Sequence, residues 1–193
     1  EKEFVALYSP VMKKRVDLPE KKYEGYIFDL DGTLVDSMPL HYRAWREALA
    51  RAGAPDHVFR ADEFYSCGGK SANDVVRFLN ERYGMHMDAA STAADKRRIY
   101  LEMLEKEGMQ PIREVVEFVH SLGDAPKAIA TGSAMPGASR TLAAAGLSGL
   151  FDVILTPDEV EHGKPAPDMF LKAAELLGAS ADRCVVFEDA EPG

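Results

Sequence analysis

Two aspartates two residues apart, Asp29 and Asp31, close the short apolar run Tyr26-Ile27-Phe28-Asp29-Leu30 and lead into Gly32-Thr33. A second polar group, Thr131-Gly132-Ser133, follows Lys127-Ala128-Ile129-Ala130, and a third, Glu188-Asp189, follows Cys184-Val185-Val186-Phe187. Each run has the length and apolarity of a strand buried on both faces of a parallel sheet. Ligands of an open parallel sheet sit beyond the carboxyl ends of its strands, so these polar groups are expected to converge on one crevice. Two carboxylates ~4 Å apart repel by ~4 kcal/mol at an effective dielectric of about 20, so four acids in one crevice require a cation. The set is all oxygen, with no His or Cys beside the motifs, which favours Mg²⁺ over zinc. Read one at a time, the same residues have plainer uses. Asp29 and Asp31 could form a strand-to-turn Asx cluster, Thr131 to Ser133 a helix cap ahead of Pro136, and Glu188-Asp189 a surface turn.

The elements that must position these residues follow from the rest of the pattern. A further short strand is expected at Asp152-Val153-Ile154-Leu155. Helices are expected at 112–121, 136–145 (ended by Gly146) and 167–177 (ended by Gly178). Strand alternating with helix predicts an α/β fold with a doubly wound parallel sheet. Residues 39–107 break the alternation with helical pieces at 39–52, 71–83 and 92–107, and read as a helical domain inserted after the first core strand. Residues 1–23 carry no sustained period and read as an extension, part of it an edge strand or a remnant outside the fold. The core is then 24–38 together with 108–193.

Taken together the motifs resemble those of the haloacid dehalogenase superfamily. Phe28-Asp29-Leu30-Asp31-Gly32-Thr33-Leu34-Val35-Asp36-Ser37 is similar to its first motif and Thr131-Gly132-Ser133 to its second. Gly163-Lys164-Pro165-Ala166-Pro167-Asp168 is similar to the third and Phe187-Glu188-Asp189-Ala190 to the fourth, in the family's order. The nearest branch is the β-phosphoglucomutase-like group, whose helical cap sits where residues 39–107 do. The resemblance implies a Rossmann-like parallel core with that cap. It also implies that Asp29 is a nucleophile taking up a phosphoryl group and that Asp31 is the general acid and base. Thr131, Gly132 and Ser133 would bind phosphoryl oxygens, and Lys164 would neutralise nucleophile and phosphate. Mg²⁺ would be held by Asp29, the backbone carbonyl of Asp31, Glu188 and Asp189. The family's sheet normally continues past the fourth motif, whereas this sequence stops at Gly193, so its last strand and helix are expected to be missing.

Within the insertion, His41 and Trp45 stand i and i+4 on one helix face, directed either to the crevice or into the cap's own core; their position in the related group implies substrate contact. Gly69 and Lys70 lie in a segment that is either a helix-entry turn or, by the resemblance, the substrate-specificity loop. Ser66 to Ser71 lacks the first glycine and the preceding strand of a P-loop, and Cys67 has no activating His nearby. Residues 66–76 contain no Arg to grip a second phosphate, and Ala134 and Met135 follow the second motif where related mutases carry polar side chains. Hydrolysis of a small sugar monophosphate is therefore expected, with a sugar phosphomutase or a non-catalytic scaffold as the alternatives.

Composition excludes other classes. The chain has 193 residues, and 23 Lys and Arg against 32 Asp and Glu leave a formal charge of −9, so a general grip on nucleic acid or anionic lipid is disfavoured. Two distant cysteines indicate neither a disulfide framework nor a zinc site and suit a reducing cytoplasm. No apolar run approaches the ~20 residues that span a bilayer. A cytoplasmic monomer acting on a small phosphorylated metabolite is the expectation.

Overall fold

The structure, a computed structural model, describes residues 4–6 (as backbone), 22–68 and 70–189. Gly69, Ala190 and most of the extension, all named from the sequence, lie outside the described residues. Five parallel strands, β1 (Phe4–Ala6), β2 (Gly25–Phe28), β3 (Lys127–Ala130), β4 (Val153–Leu155) and β5 (Cys184–Glu188), lie in the order β1-β5-β2-β3-β4. The described part of the extension is thus an edge strand. The central strands β2 and β3 are buried at every position, as expected of a parallel sheet covered on both faces.

Alternation along β2 assigns those two faces. Tyr26 and Phe28 pack with Val115 and Val119 of α5 (Arg113–Ser121) and with Ala138 and Leu142 of α6 (Met135–Ala144). Ile27 packs instead with Met169, Ala173 and Ala174 of α7 (Asp168–Leu176). The register places Phe28 beside Phe187, and their rings stack with centroids 4.5 Å apart and planes 7° from parallel. This stack lies one residue before both Asp29 and Glu188, so it sets the spacing of the two strand ends.

Between β2 and α5 come α1 (Met38–Arg51), α2 (Ala61–Ser66), α3 (Ala72–Tyr83) and α4 (Ala89–Glu107). Trp45, Leu49, Phe59, Phe64, Val76 and Leu79 form a second apolar cluster there. Helices α1 and α4 tie this layer to the sheet, because Leu40, Ala44 and Ala48 of α1 and Ile99, Tyr100 and Leu104 of α4 belong to the sheet's own cluster. Two details depart from the periodicity. Helix α2 has six residues, too few to show a period, and α4 begins three residues earlier than expected because Asp88 caps it, accepting a hydrogen bond from the Ser91 amide at 2.7 Å.

Phe28→Ala removes one ring of a fully buried stack and is expected to cost about 3–5 kcal/mol of stability. Urea unfolding of the two proteins measures it.

Candidate active site

Strand β2 ends by donating the Asp29 amide to the Phe187 carbonyl at 2.9 Å, after which the chain turns sharply through Gly32. Gly32 has φ +96°, and a Cβ there would stand 2.3 Å from Oδ2 of Asp189. Both the backbone conformation and the approach of a second carboxylate-bearing loop therefore need glycine. Thr33 completes the contact, its hydroxyl donating to Oδ1 of Asp189 at 3.2 Å.

The sheet topology gathers the expected charges. Lys164, in the segment between β4 and α7, places its buried ammonium 2.6 Å from Oδ1 of Asp29 and 2.5 Å from Oε2 of Glu188. Burial pulls this ammonium's pKa down, but Asp29 and Glu188 outweigh burial and hold it above its ordinary value. Burial pushes Asp29 well above the usual carboxylate range; Lys164 offsets part of the rise, while Glu188, Asp189 and Asp31 add to it. Asp189 is pushed up to about 7, by burial first and then by Glu188. Glu188 is buried, which removes the plain reading of a surface turn, and Lys164 is buried with it.

Asp31 has a different environment. Its Oδ1 accepts from the Ser37 hydroxyl at 2.7 Å and lies 3.0 Å from Nε2 of His41, and its Oδ2 accepts from the Ser133 hydroxyl at 2.6 Å. Burial raises its proton affinity, yet the His41 ring and these hydrogen bonds outweigh burial and hold the carboxyl below its ordinary range. Ser37 occupies the N-cap position of α1 but makes no cap bond; its hydroxyl serves Asp31 instead. Ser133 likewise does not cap α6, whose N-cap is Ala134. These are the places where a site overrides a local rule of helix chemistry.

His41 lines the cleft, and its ring nitrogens meet protein groups there: Nε2 faces Asp31 at 3.0 Å, and Nδ1 is 2.8 Å from Nζ of Lys96 on α4. Burial, then Lys96, hold this imidazole below its ordinary pKa, with Asp31 opposing the fall; where Nδ1 accepts from the Lys96 ammonium, Nε2–H is the donor to Asp31. The ring also stacks on Tyr100, 4.0 Å away and 4° from parallel, and the Tyr100 hydroxyl is 2.8 Å from that of Thr141 on α6. Trp45 fits both of its readings: it is part of the helical layer's apolar cluster and also lines the cleft. Thr131 is fully buried, its hydroxyl accepting from the Ser133 amide at 3.0 Å, so Gly132 and Ser133 line the cleft and Thr131 supports them from behind. Lys70 lines the cleft, whereas Cys67, although it lines it too, has its thiol pKa raised by burial and is a poor nucleophile.

The cleft encloses about 340 Å³ between the strand ends and the helical layer. Lys96, Arg97 and Tyr100 on its wall were not among the residues expected from sequence. Lys96 and Tyr100 stand i and i+4, a signal that becomes informative only once α4 is known to face β2.

A metal ion is chemically suited to one corner. One oxygen from each of Asp29, Glu188 and Asp189 lies within 4.8 Å of the others. The donors are hard oxygens and mutually repulsive, as a site for Mg²⁺ requires. The Asp31 carboxylate stands outside this trio, engaged by Ser37, His41 and Ser133, so only its backbone carbonyl is left for the expected metal contact.

A parallel sheet with a helical layer after β2, and an Asp-x-Asp, a buried lysine and an acid pair at its strand ends, defines a hydrolase of the haloacid dehalogenase kind. The family model described as haloacid dehalogenase-like hydrolase matches residues 23–193, and the chain belongs to that family. It is 35% identical over 174 residues to the fructose-1-phosphate phosphatase YqaB of Escherichia coli (strain K12), covering 90% of each chain. It is 33% identical over 212 aligned residues to a β-phosphoglucomutase of Mycobacterium bovis, covering 96% of this chain and 80% of that one. Among solved structures, a hydrolase from Pseudomonas syringae superposes with a TM-score of 0.76 at 30% identity, over 88% of this chain and 76% of that one. The chain is thus an enzyme of a family whose members here include sugar-phosphate phosphatases and phosphomutases. Among the described residues no helix is long and apolar enough to cross a membrane.

Burial holds the Lys96 ammonium down to about 8 from its ordinary 10.5; Asp31 opposes the fall and Arg97 adds to it. Between those values the unfolded chain keeps a proton that the folded one has lost, so stability from this group rises with pH across that window. Lys96→Met is expected to remove a rise on the order of 1–3 kcal/mol. Urea unfolding of both proteins at pH 7.5 and pH 10 checks it.

Proposed function

We propose that the enzyme is a Mg²⁺-dependent phosphatase that hydrolyses a small sugar monophosphate through an aspartyl-phosphate intermediate. The observation that carries this reading is the division of labour between two aspartates two residues apart. Asp29 stands against the Lys164 ammonium among the acids, and Asp31 stands apart from them with its charge stabilised by three neighbours.

An Oδ atom of Asp29 attacks phosphorus, the phosphorus bond to the sugar oxygen breaks, and the phosphoryl group is left on the carboxylate. Lys164 neutralises the nucleophile before attack and the phosphoryl oxygens after it. The phosphate dianion arriving beside Asp31 raises that group's proton affinity, so it can carry the proton that the departing sugar oxygen needs. Once the sugar leaves, the resting environment of Asp31 favours its ionised form, which is the form that removes a proton from water attacking the acyl phosphate. The Gly132 backbone meets the phosphoryl group from the β3 side, while the Ser133 hydroxyl stays on Asp31. A bound Mg²⁺, held by Asp29, Glu188 and Asp189 with the Asp31 carbonyl, would draw charge from the phosphoryl oxygens.

Hydrolysis rather than mutation is supported by the apolar Ala134 in the cleft lining and by the absence of any arginine from residues 66–76. The phosphomutase stands as a second reading because Arg97 reaches the cleft from α4 and could hold a second phosphate.

Asp29→Asn is expected to lower phosphate release from hexose 1-phosphate at least 1,000-fold while leaving the circular dichroism spectrum unchanged. Retention of activity within tenfold, only ~1.4 kcal/mol, contradicts covalent catalysis. EDTA is expected to abolish release and added Mg²⁺ to restore it. Release is expected to exceed interconversion of hexose 1-phosphate and hexose 6-phosphate, with or without a bisphosphate primer; the reverse ranking favours the mutase.

A further inference from the structure

Most lysines among the described residues have one of two surroundings. Lys22, Lys70 and Lys106 are exposed. Lys127, Lys164 and Lys172 are held by oxygen: Lys127 donates to the carbonyls of Gly123 and Ala125, Lys164 meets Asp29 and Glu188, and Lys172 meets Glu175. Lys96 fits neither description. It lines the cleft from α4 and forms no ion pair among the described residues, and its Nζ meets a nitrogen, Nδ1 of His41, at 2.8 Å. Three buried rings close around it: His41, Trp45 with its ring centroid 5.5 Å from Nζ, and Tyr100 with its centroid also 5.5 Å away.

We propose that Lys96 is a covalent capture site for phosphorylated aldehydes: with the phosphate at the strand ends, the aldehyde of an open-chain aldose phosphate condenses with Nζ to form a reversible imine. This rests on the reading of the strand ends as a site for phosphate monoesters, and it adds a second chemistry to the same cleft.

Three observations support the site. The first is position. Asp31 and Lys96 face opposite edges of one imidazole, with Oδ1 of Asp31 3.0 Å from Nε2 and Nζ of Lys96 2.8 Å from Nδ1. A short sugar chain whose ester oxygen lies beside Asp31 has only one ring to pass before it reaches the amine. The second is nucleophilicity. An ammonium has no lone pair, and a carboxylate partner would keep the group protonated, but Lys96 has no such partner among the described residues. Burial holds its pKa down to about 8, with Asp31 opposing the fall and Arg97 adding to it. At pH 8 about half of these side chains are therefore free amines, against about one in 300 for an ordinary lysine. The third is that the product has a partner. A free amine donates one N–H to Nδ1 and keeps its lone pair for attack, and the protonated imine donates its remaining N–H to the same atom. The aromatic walls limit water beside the C=N bond, which favours the dehydrated product.

The Nζ lone pair forms the N–C bond as the carbonyl π pair moves to oxygen, and a proton passes from nitrogen to that oxygen to give a carbinolamine. The C–O bond then breaks as the nitrogen lone pair forms C=N, and the hydroxyl leaves as water with a proton taken from solvent. One aldehyde, one amine and one proton yield one protonated imine and one water.

Reductive trapping tests the site on the Asp29→Asn protein in Mg²⁺, in which the proposed nucleophile is absent and the probes persist. The probes are D-glyceraldehyde 3-phosphate and D-erythrose 4-phosphate, each with cyanoborohydride at pH 8, and D-glyceraldehyde and D-erythrose are their unphosphorylated controls. Peptide mass mapping is expected to place at least tenfold more reduced adduct of one or both phosphates on Lys96 than on any other lysine, Lys70 included. Omitting the phosphate from the aldehyde, or adding saturating inorganic phosphate, is expected to lower the Lys96 adduct at least tenfold. No adduct on Lys96, adduct spread evenly over the exposed lysines or concentrated on Lys70, or equal labelling by phosphorylated and unphosphorylated aldehydes overturns the proposal. Aryl phosphate turnover by the unsubstituted enzyme is measured separately. Its absence removes the phosphatase reading, while the trapping still decides the role of Lys96.

Discussion

Carboxylates gathered at one end of a parallel sheet repel one another, and burial makes each harder to ionise. Lys164 is the group that makes the arrangement tolerable, touching Asp29 from β2 and Glu188 from β5 with one ammonium. A buried pair of this kind contributes little net stability, because desolvation consumes most of the Coulomb gain, but losing one partner leaves an uncompensated charge behind. Lys164 brings one positive charge to a corner that also gathers Asp29, Glu188 and Asp189, and that all-oxygen corner suits a hard dication.

The second constraint is the isolation of Asp31. Asp29 and Asp31 belong to one turn, yet one stays among acids and the other is surrounded by donors. The difference is made by elements far apart in sequence: Ser37 and His41 on α1, Ser133 after β3, and Lys96 behind His41 on α4. Because α1 and α4 pack on the sheet as well as on their own apolar cluster, the helical layer sets the environment of Asp31 as well as covering the cleft. Tyr100 joins the two parts most directly, with its ring on His41 and its hydroxyl at Thr141 of α6.

Glycine 32 shows how narrow the tolerances are. The loop after β2 must fold back tightly enough to bring Thr33 to Asp189, and the space for any side chain at residue 32 is already taken by the Asp189 carboxylate. The stacked rings of Phe28 and Phe187 hold the strand ends at the spacing from which this contact is made.

Much of this protein was legible in the order of its residues. Short apolar runs ending in polar groups mark parallel strands, and parallel strands place their carboxyl ends together, so Asp29, Asp31, Ser133, Glu188 and Asp189 could be expected at one crevice before any coordinates. The motifs are local, and their types and spacing carry the chemistry. What sequence could not decide is which cations reach that crevice from the helical insertion, and in which direction an ambiguous side chain points. His41 and Trp45 share a helix face, but only the packing of α1 against α4 turned His41 toward Asp31 and engaged both of its nitrogens. Lys96 and Arg97 sit in an ordinary basic stretch of a long helix, where neighbouring Arg98 is satisfied on the surface. A helix rotates its side chains by about 100° per residue, so only the tertiary contact that fixes its face decides which of three consecutive cations meets a surface carboxylate, a histidine or the cleft.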